Sequence, residues 1–369
     1  MRRILLAILV PILLAACGGD PSAFLGPSPT PSPSITAEPS PSPSPPSAAD
    51  AEELLVLADS TASHVTLLDP ATGTVEGRVE VGAAPWRIAV AGRLGFVTTS
   101  TGLAIMDVRS GAFIASIPYQ SPVGPPATGE FREGGMGIAL SPDGKRAFVG
   151  VYTAAGSFLE VIHTENGYER SIPIGTRPFD VVIDPSGSTV YSIDHDSYTL
   201  TAVDTRTWES RTIEVAPLGR GAFDKPHYGI VAGSELLLPY QGRALVAYNL
   251  ETGDSRELPL TANTHQHGVA LSPDGTTAAI VGAGPAGEAS GGASLTLLTL
   301  AGGAERIIPL SRPHELVAFS LDGKKAYLTG GYLLDGGWEG ITVVDLESGA
   351  TREIVTPARP LGIVVLGPQ

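Results

Sequence analysis

Short apolar runs alternate with turn residues along most of the chain. From residue 50 onward, segments rich in Val, Ile, Leu and Ala are separated by Gly, Asp, Pro and Thr, without the 3.6-residue period of helices. A clear copy reads GIALSPDG (137–144), RAFVGVY (146–152), FLEVIHTENG (158–167) and YERSIPIG (168–175). This pattern predicts an all-β region built from repeated units of four antiparallel strands.

The repeat also predicts how many units there are. The first strand of a unit recurs about every 46 residues, a period typical of four-stranded propeller blades. The segment 53–82 supplies only the last three strands of a unit, and 361–367 supplies an isolated first strand. We therefore expect a seven-bladed β-propeller over 50–369, closed by the C-terminal strand joining the N-terminal three. The seven predicted opening residues are Trp86, Met136, Phe179, Tyr228, His267, Glu315 and Leu361.

These units resemble the YVTN-type repeat family of bacterial propellers. The shared elements are the S-P-D-G turn, a strand ending in Asp, and a following T-G or S-G turn. The resemblance implies the propeller fold but not a function, because the family includes surface proteins, quinoprotein-like domains and lipoproteins. We interpret the repeated aspartates as turn residues that cap backbone N–H groups; they are Asp69, Asp107, Asp143, Asp204, Asp274, Asp322 and Asp345.

The N-terminal residues have the layout of a secretory signal peptide. Two arginines precede the apolar run 4–14, which is too short for a spanning helix. The following LAACG resembles the lipobox of bacterial lipoproteins, which implies cleavage after residues 1–16 and lipidation of Cys17. Cys17 is the only cysteine of 369 residues, so no internal disulfide accounts for it.

Residues 17–49 are predicted to be a stalk. After the lipidated cysteine they consist mainly of Pro and Ser, which bury little and stay extended and solvated. We therefore expect an extracytoplasmic protein that contacts the membrane through its lipid anchor only, facing the cell surface or the periplasm.

Charge narrows the class of partner. The formal net charge is −15, and all of it belongs to the propeller because the charges of residues 1–49 cancel. Nucleic acid is a poor partner for such a surface. Cationic ligands, metal ions or basic protein patches fit better, and we expect a monomer.

Loop lengths predict which face binds. In a four-stranded antiparallel blade, the loop between the second and third strands and the connection to the next blade share one face. That face carries the long insertions 119–135, 216–227, 282–293 and 330–340. Variable loops on a rigid scaffold are the usual place for binding, so we expect the ligand on this long-loop face.

Histidines concentrate on the same face. His227, His267 and His314 lie at, or one residue before, the first strands of three consecutive blades, with His265 and His195 near them. Clustered neutral imidazoles steered by carboxylates favour Zn or Cu in an exported protein. The competing interpretation is a structural or general polar role in which the histidines cap strand entrances. The available acids are Asp194, Asp196, Asp224 and Glu315.

Three functions stay open. The leading hypothesis is a non-enzymatic module that binds a protein, an envelope polymer or a small ligand through the long-loop face. The second is a metal-binding propeller that uses His227, His267 and His314. The third is a lactonase-like hydrolase, because seven-bladed lactonase propellers also place His and Arg at the channel mouth. The matching cations would be Arg177, Arg312 and Arg359, each followed by Pro.

The sequence contains no G-x-S-x-G motif and no P-loop, so we assign no catalytic residue.

Overall fold

The chain folds into β-strands joined by turns. The structure is a computed structural model that describes residues 53–215, 225–286, 289–331 and 337–368. These residues contain strands, all paired antiparallel, and one short 3-10 helix at His195–Ser197. The predicted all-β class is confirmed. The predicted signal peptide, Cys17 and the stalk lie outside the described residues. Within the described ranges, no helix has the length and hydrophobicity needed to cross a membrane.

The strands form sheets in which neighbours in sequence are neighbours in space. The first sheet begins with β1 (Leu54–Asp59), β2 (His64–Leu68) and β3 (Val75–Glu80). The second contains β4 (Ile88–Ala91), β5 (Leu94–Thr98), β6 (Gly102–Asp107) and β7 (Ala112–Pro118). The third contains β8 (Gly134–Leu140), β9 (Arg146–Thr153), β10 (Gly156–His163) and β11 (Gly167–Ile174). The fourth contains β12 (Pro178–Ile183), β13 (Thr189–Asp194), β14 (Thr199–Asp204) and β15 (Ser210–Glu214).

The next sheet is longer because one strand serves two units. It contains β16 (Ile230–Ala232), β17 (Glu235–Pro239), β18 (Gln241–Asn249), β19 (Ser255–Leu271), β20 (Thr277–Gly282), β21 (Ser294–Thr299) and β22 (Glu305–Pro309). The N-terminal part of β19 pairs with β18, and its C-terminal part pairs with β20. Strand β19 is therefore the last strand of one unit and the first of the next.

The C-terminal strands return the chain to its start. The last four-strand group is β23 (Val317–Phe319), β24 (Lys325–Thr329), β25 (Gly340–Asp345) and β26 (Thr351–Val355), followed by β27 (Pro360–Leu366). Strand β27 pairs with β1, with Val56 opposite Val364. The first sheet thus combines both ends of the described chain, in the order β27-β1-β2-β3. Antiparallel four-stranded sheets in this succession are those of a β-propeller-like fold.

Apolar side chains fill the space between successive sheets. Val56 and Val65 of the first sheet belong to the same buried cluster as Val97 and Met106 of the second. Burying an aliphatic side chain of this size contributes about 1.5–3 kcal/mol. Because each sheet presents apolar residues to its neighbour, the sheets hold each other in place and fix the positions of their first strands.

The turns behave as the sequence predicts. Asp143 accepts hydrogen bonds from the hydroxyl of Ser141 at 2.6 Å and the backbone N–H of Lys145 at 3.1 Å. Gly144 has φ +69°, a conformation that glycine adopts without strain. Each repeated aspartate accepts a backbone N–H in this way, so their turn role is confirmed. His163 replaces an aspartate, and its Nδ1 accepts the N–H of Asn166 at 3.2 Å.

The openings of the first strands converge. Trp86, which lies just before β4, packs into one buried cluster with Met136 of β8, Phe179 of β12 and Leu361 of β27. Adjacent first strands also approach closely, since a Cβ atom at Gly268 would lie 2.6 Å from the carbonyl oxygen of Glu315. Residues at these openings therefore meet although they are far apart in the sequence.

Candidate functional site

Three histidines meet beside this central cluster. His265 and His267 lie on β19, and His227 lies just before β16. One nitrogen from each ring can be chosen so that all three lie within 4.8 Å of one another. The exposed fractions are 3% for His227, 7% for His265 and 1% for His267, so water has little access to the group. We call these residues the histidine cluster.

Local backbone geometry explains why two members come from one strand. Residues two apart in an extended chain point to the same side, which brings the rings of His265 and His267 to a centroid distance of 4.2 Å. The ring of His227 stacks on that of His267 at 4.3 Å and 13°. Nδ1 of His227 is buried and has no hydrogen-bond partner among the described residues.

Burial keeps the ring of His227 neutral. It lowers the pKa of His227 well below 6.5, and the nearby positive charges that His267 and His195 would carry lower it further. A neutral imidazole offers a lone pair, whereas an imidazolium does not. At neutral pH His227 therefore presents a nitrogen lone pair rather than a positive charge.

Carboxylates contact two rings of the group. Oε1 of Glu315 lies 2.8 Å from Nδ1 of His267, and Oδ1 of Asp196 lies 2.7 Å from Nδ1 of His195. The ring of His195 lies 4.4 Å from that of His227, between centroids. Carboxylate–histidine pairs of this kind fix ring orientation, as they do around metal ions.

Asp196 is itself held by two cations. Nη1 of Arg177 lies 3.1 Å from one of its oxygens, and Nζ of Lys225 lies 3.2 Å from the other. Burial raises the pKa of Asp196, but the hydrogen bond with His195 and these cations outweigh that effect and hold it below its usual range. Burial lowers the pKa of His195 to about 4, so this histidine is also neutral at pH 7.

Aromatic rings extend the cluster toward the middle of the sheets. Trp86 stacks on Phe179 at 5.8 Å and 6°, and Phe179 stacks on His227 at 5.6 Å and 14°. With the His227–His267 contact, four nearly parallel rings form a continuous column. This column gives the histidine cluster a rigid apolar wall, and the sequence provided no local signal for it.

The structure brings together only part of the predicted site. His227, His265, His267 and His195 are neighbours, as expected. His314 was predicted as the third metal ligand, but its Nε2 lies 2.7 Å from Oγ1 of Thr342 and its ring contacts Trp338 edge-on. His265, not His314, is the third member of the cluster. The histidine cluster thus contains two of the three residues that the sequence suggested as metal ligands.

The predicted arginines take different positions. Arg177 adjoins the cluster through Asp196. Arg312 instead pairs with Glu353 at 3.1 Å and covers the ring of Trp338 at 4.4 Å. Arg359 lies just before β27, and its carbonyl accepts the N–H of Ser60 at 2.8 Å.

Among the predicted acids, Asp194 is buried and accepts hydrogen bonds from the hydroxyls of Ser192 and Thr201, so it is a structural residue.

Parts of the predicted long-loop face are outside the described residues. These parts are 216–224, which include Asp224, together with 287–288 and 332–336. The loop 119–135 is described, and it is anchored by buried Glu160, which accepts the N–H of Ser121 at 2.7 Å.

Comparisons with known proteins agree on the fold. No protein-family model and no curated protein matches the chain. Among solved structures, hydrazine synthase of Kuenenia stuttgartiensis is similar, with 16% identity, TM-score 0.57, and coverage of 77% of this chain and 95% of that one. The periplasmic gluconolactonase PpgL of Pseudomonas aeruginosa has 16% identity, TM-score 0.63, and coverage of 86% and 99%. A functionally unknown protein of Desulfotomaculum acetoxidans has 12% identity, TM-score 0.65, and coverage of 86% and 99%. At such low identity these likenesses establish the β-propeller-like fold alone.

Proposed function

We propose that this chain is a metal-binding β-propeller and that His227, His265 and His267 hold one Zn or Cu ion. The observation that carries the proposal is the presence of three buried imidazoles with donor atoms within 4.8 Å of one another. Three histidines that share one ion are an established protein contribution to a Zn site.

The donor set fits these metals. Neutral imidazoles suit Zn and Cu, whereas Ca and Mg prefer oxygen. Zn–N bonds of about 2.0–2.1 Å place tetrahedral ligand atoms about 3.3 Å apart, so the rings would have to close slightly around an ion. Three protein ligands leave one position open for water or another ligand. Glu315 would fix the ring of His267 so that Nε2 of His267 faces the ion. The negative charge of Glu315 would offset part of the charge of the metal.

The setting of this site is also part of the proposal. Cys17 would be the lipidated N-terminus of an extracytoplasmic protein, because LAACG resembles a lipobox and the Pro/Ser segment suits a stalk. The repeat units would form a closed seven-bladed ring of the YVTN type. That count is supported by the double role of β19, and the closure by the pairing of β27 with β1.

A lactonase-like hydrolase is a second candidate function. Its support is the open position that three histidines would leave on an ion, together with the gluconolactonase among the similar structures. A Lewis acid at that position would polarise the carbonyl of a bound lactone. The binding-module hypothesis needs no ion, so metal analysis separates it from the proposal.

Metal content tests the proposal. Untagged full-length protein, stripped with EDTA and then dialysed against Zn or Cu, is expected to hold one ion per chain and to melt at a higher temperature. At an ion concentration 100 times Kd, the expected stabilisation is about 2.7 kcal/mol. His267→Ala should abolish both effects. His163→Ala, which alters a histidine in a surface turn, should retain them. Sub-stoichiometric metal with unchanged melting in the unaltered protein would refute the proposal.

A further inference from the structure

Arg177 lies almost completely buried next to the histidine cluster. Its exposed fraction is 7%, and its guanidinium lies over the rings of Phe131 at 4.4 Å and Tyr152 at 4.9 Å. Its backbone N–H donates to the hydroxyl of Ser157 at 3.1 Å, which fixes the start of the side chain. Nε of Arg177 is buried and has no hydrogen-bond partner in the described part of the chain.

Burying a guanidinium donor without an acceptor is costly. An unsatisfied buried polar group costs about 1–3 kcal/mol, and more when it is charged. Its ion-pair partner Asp196 is shared, because the same carboxylate also contacts Lys225 and His195. Nε of Arg177 is not among the atoms that contact Asp196.

The charge of this group is unbalanced. One carboxylate, Asp196, faces two cations, Arg177 and Lys225, so these three side chains carry a formal charge of +1. The chain as a whole carries a formal net charge of −15, so this excess charge has the opposite sign to that of the protein. A single excess charge matches a monoanion.

We infer that Arg177 and Lys225 bind the carboxylate of a small organic ligand beside the histidine cluster. A carboxylate would accept the free Nε–H of Arg177 and neutralise the excess charge. Phe131, which is 60% exposed, offers an apolar surface next to the guanidinium for the rest of the ligand. The inference rests on the proposed function in one respect only: it places the carboxylate of the ligand next to the proposed ion. This proximity follows from His195, which contacts Asp196 through Nδ1 and His227 through its ring.

The test uses benzoate, with benzamide as its neutral analogue. Benzoate should raise the melting temperature of EDTA-stripped full-length protein and bind in calorimetry, whereas benzamide should do neither at equal concentration. Arg177→Ala should weaken benzoate binding at least about tenfold, as expected for loss of a charge-assisted hydrogen bond. Arg177 precedes a proline and has a φ of +58°. Ala84 also precedes a proline and has a φ of +52°, so an alanine at position 177 is expected to be compatible with folding. If the alanine variant does not fold, Arg177→Gln serves the same purpose.

The controls separate this inference from the metal proposal. Arg312→Ala alters an arginine that also precedes Pro but pairs with Glu353, and it should bind benzoate within twofold of the unaltered protein. Equal binding of benzoate and benzamide, or undiminished benzoate binding by Arg177→Ala, would overturn the inference. Tighter binding of inorganic phosphate than of benzoate would also overturn it, since the ligand would then not be a carboxylate. Zn titration of Arg177→Ala reports separately on the histidine cluster, so either idea can fail alone.

Discussion

Nδ1 of His267 lies 2.8 Å from Oε1 of Glu315, and both side chains are about 1% exposed. Glu315 belongs to the next repeat unit, so the contact joins two neighbouring first strands. A carboxylate in this position fixes the orientation of a histidine ring, as it does behind histidines that bind metal ions. In the proposed site, the opposite nitrogen of His267 would bind the ion.

The first prediction concerns this contact. Glu315→Gln keeps the shape of the side chain but removes its charge, so it should lower Zn affinity about 10–100-fold, as loss of a carboxylate behind a ligating histidine does. Competition with a chromophoric chelator measures the affinity. Glu235→Gln is the control, because Glu235 pairs with Arg256 at 2.8 Å on a partly exposed strand, and its Zn affinity should not change. Equal affinities in both variants would mean that Glu315 does not act on the cluster.

The second prediction distinguishes His265 from His314. His265→Ala should abolish tight Zn binding because it removes one of three donors, and His314→Ala should change affinity less than about threefold. Both side chains are buried, so both variants should lose some stability, and only metal affinity separates them. A larger loss of affinity in His314→Ala would restore the ligand set predicted from the sequence.

The difference between those two histidines shows what the sequence could predict. Strand repeats place His227, His267 and His314 at successive openings, and this correctly brings two of them together. The spacing of His265 and His267 also carried a signal, because residues two apart on a strand share a side. The spacing could be interpreted in this way only once β19 was known to run unbroken from one unit into the next.

Other features of the site depend on contacts that no local pattern encodes. Phe131 and Tyr152 enclose Arg177 from different sequence segments, and the His195 ring reaches His227 from the preceding sheet. Turn aspartates, by contrast, act within three or four residues, so the repeat predicted their role correctly. Local hydrogen bonds are readable from sequence, whereas the neighbours of a buried charge depend on the assembled sheets.

The third prediction concerns pH and Asp59. Burial raises the pKa of this carboxyl from 3.8 to about 7, despite the hydrogen bond from Thr66 at 2.6 Å. The folded state therefore holds the proton more tightly than the unfolded state, and stability is lost as pH rises from about 4 to about 7. Three pH units correspond to at most about 4 kcal/mol.

Asp59→Asn tests this dependence because asparagine cannot ionise. Urea denaturation at pH 4.5 and pH 8 should give this variant a smaller loss of stability with rising pH than the unaltered protein. Asp143→Asn is the control, because hydrogen bonds from Ser141 and Lys145 lower the pKa of Asp143. The stabilisation from Asp143 is lost only below about pH 4, so this variant should lose as much stability between pH 4.5 and pH 8 as the unaltered protein. Identical pH profiles for Asp59→Asn and the unaltered protein would contradict the predicted shift.

The fourth prediction tests the anchor. Cys17→Ser should abolish labelling by radioactive palmitate and release the exported protein from the membrane fraction, because the serine hydroxyl does not accept the lipid. The double variant Cys17→Ser, Ser22→Cys restores a thiol five residues later and should stay unlabelled. Labelling of the double variant would mean that a nearby thiol suffices and that LAACG is not a lipobox.

The last prediction tests the joining of the two ends. Val56 and Val364 lie opposite each other in β1 and β27, and both face the cluster that contains Val65 and Val97. Directly opposed residues in an antiparallel pair have Cα atoms about 4.5–5.5 Å apart, within the range of a disulfide. In a Cys17→Ser background, Val56→Cys with Val364→Cys should therefore form an intramolecular disulfide on mild oxidation. Val56→Cys with Val365→Cys should not, because neighbouring side chains on a strand point to opposite faces.

Mass spectrometry of the oxidised protein and its change in melting temperature measure the outcome. Equal cross-linking of the two pairs, or of neither, would show that β27 does not pair with β1 in this register.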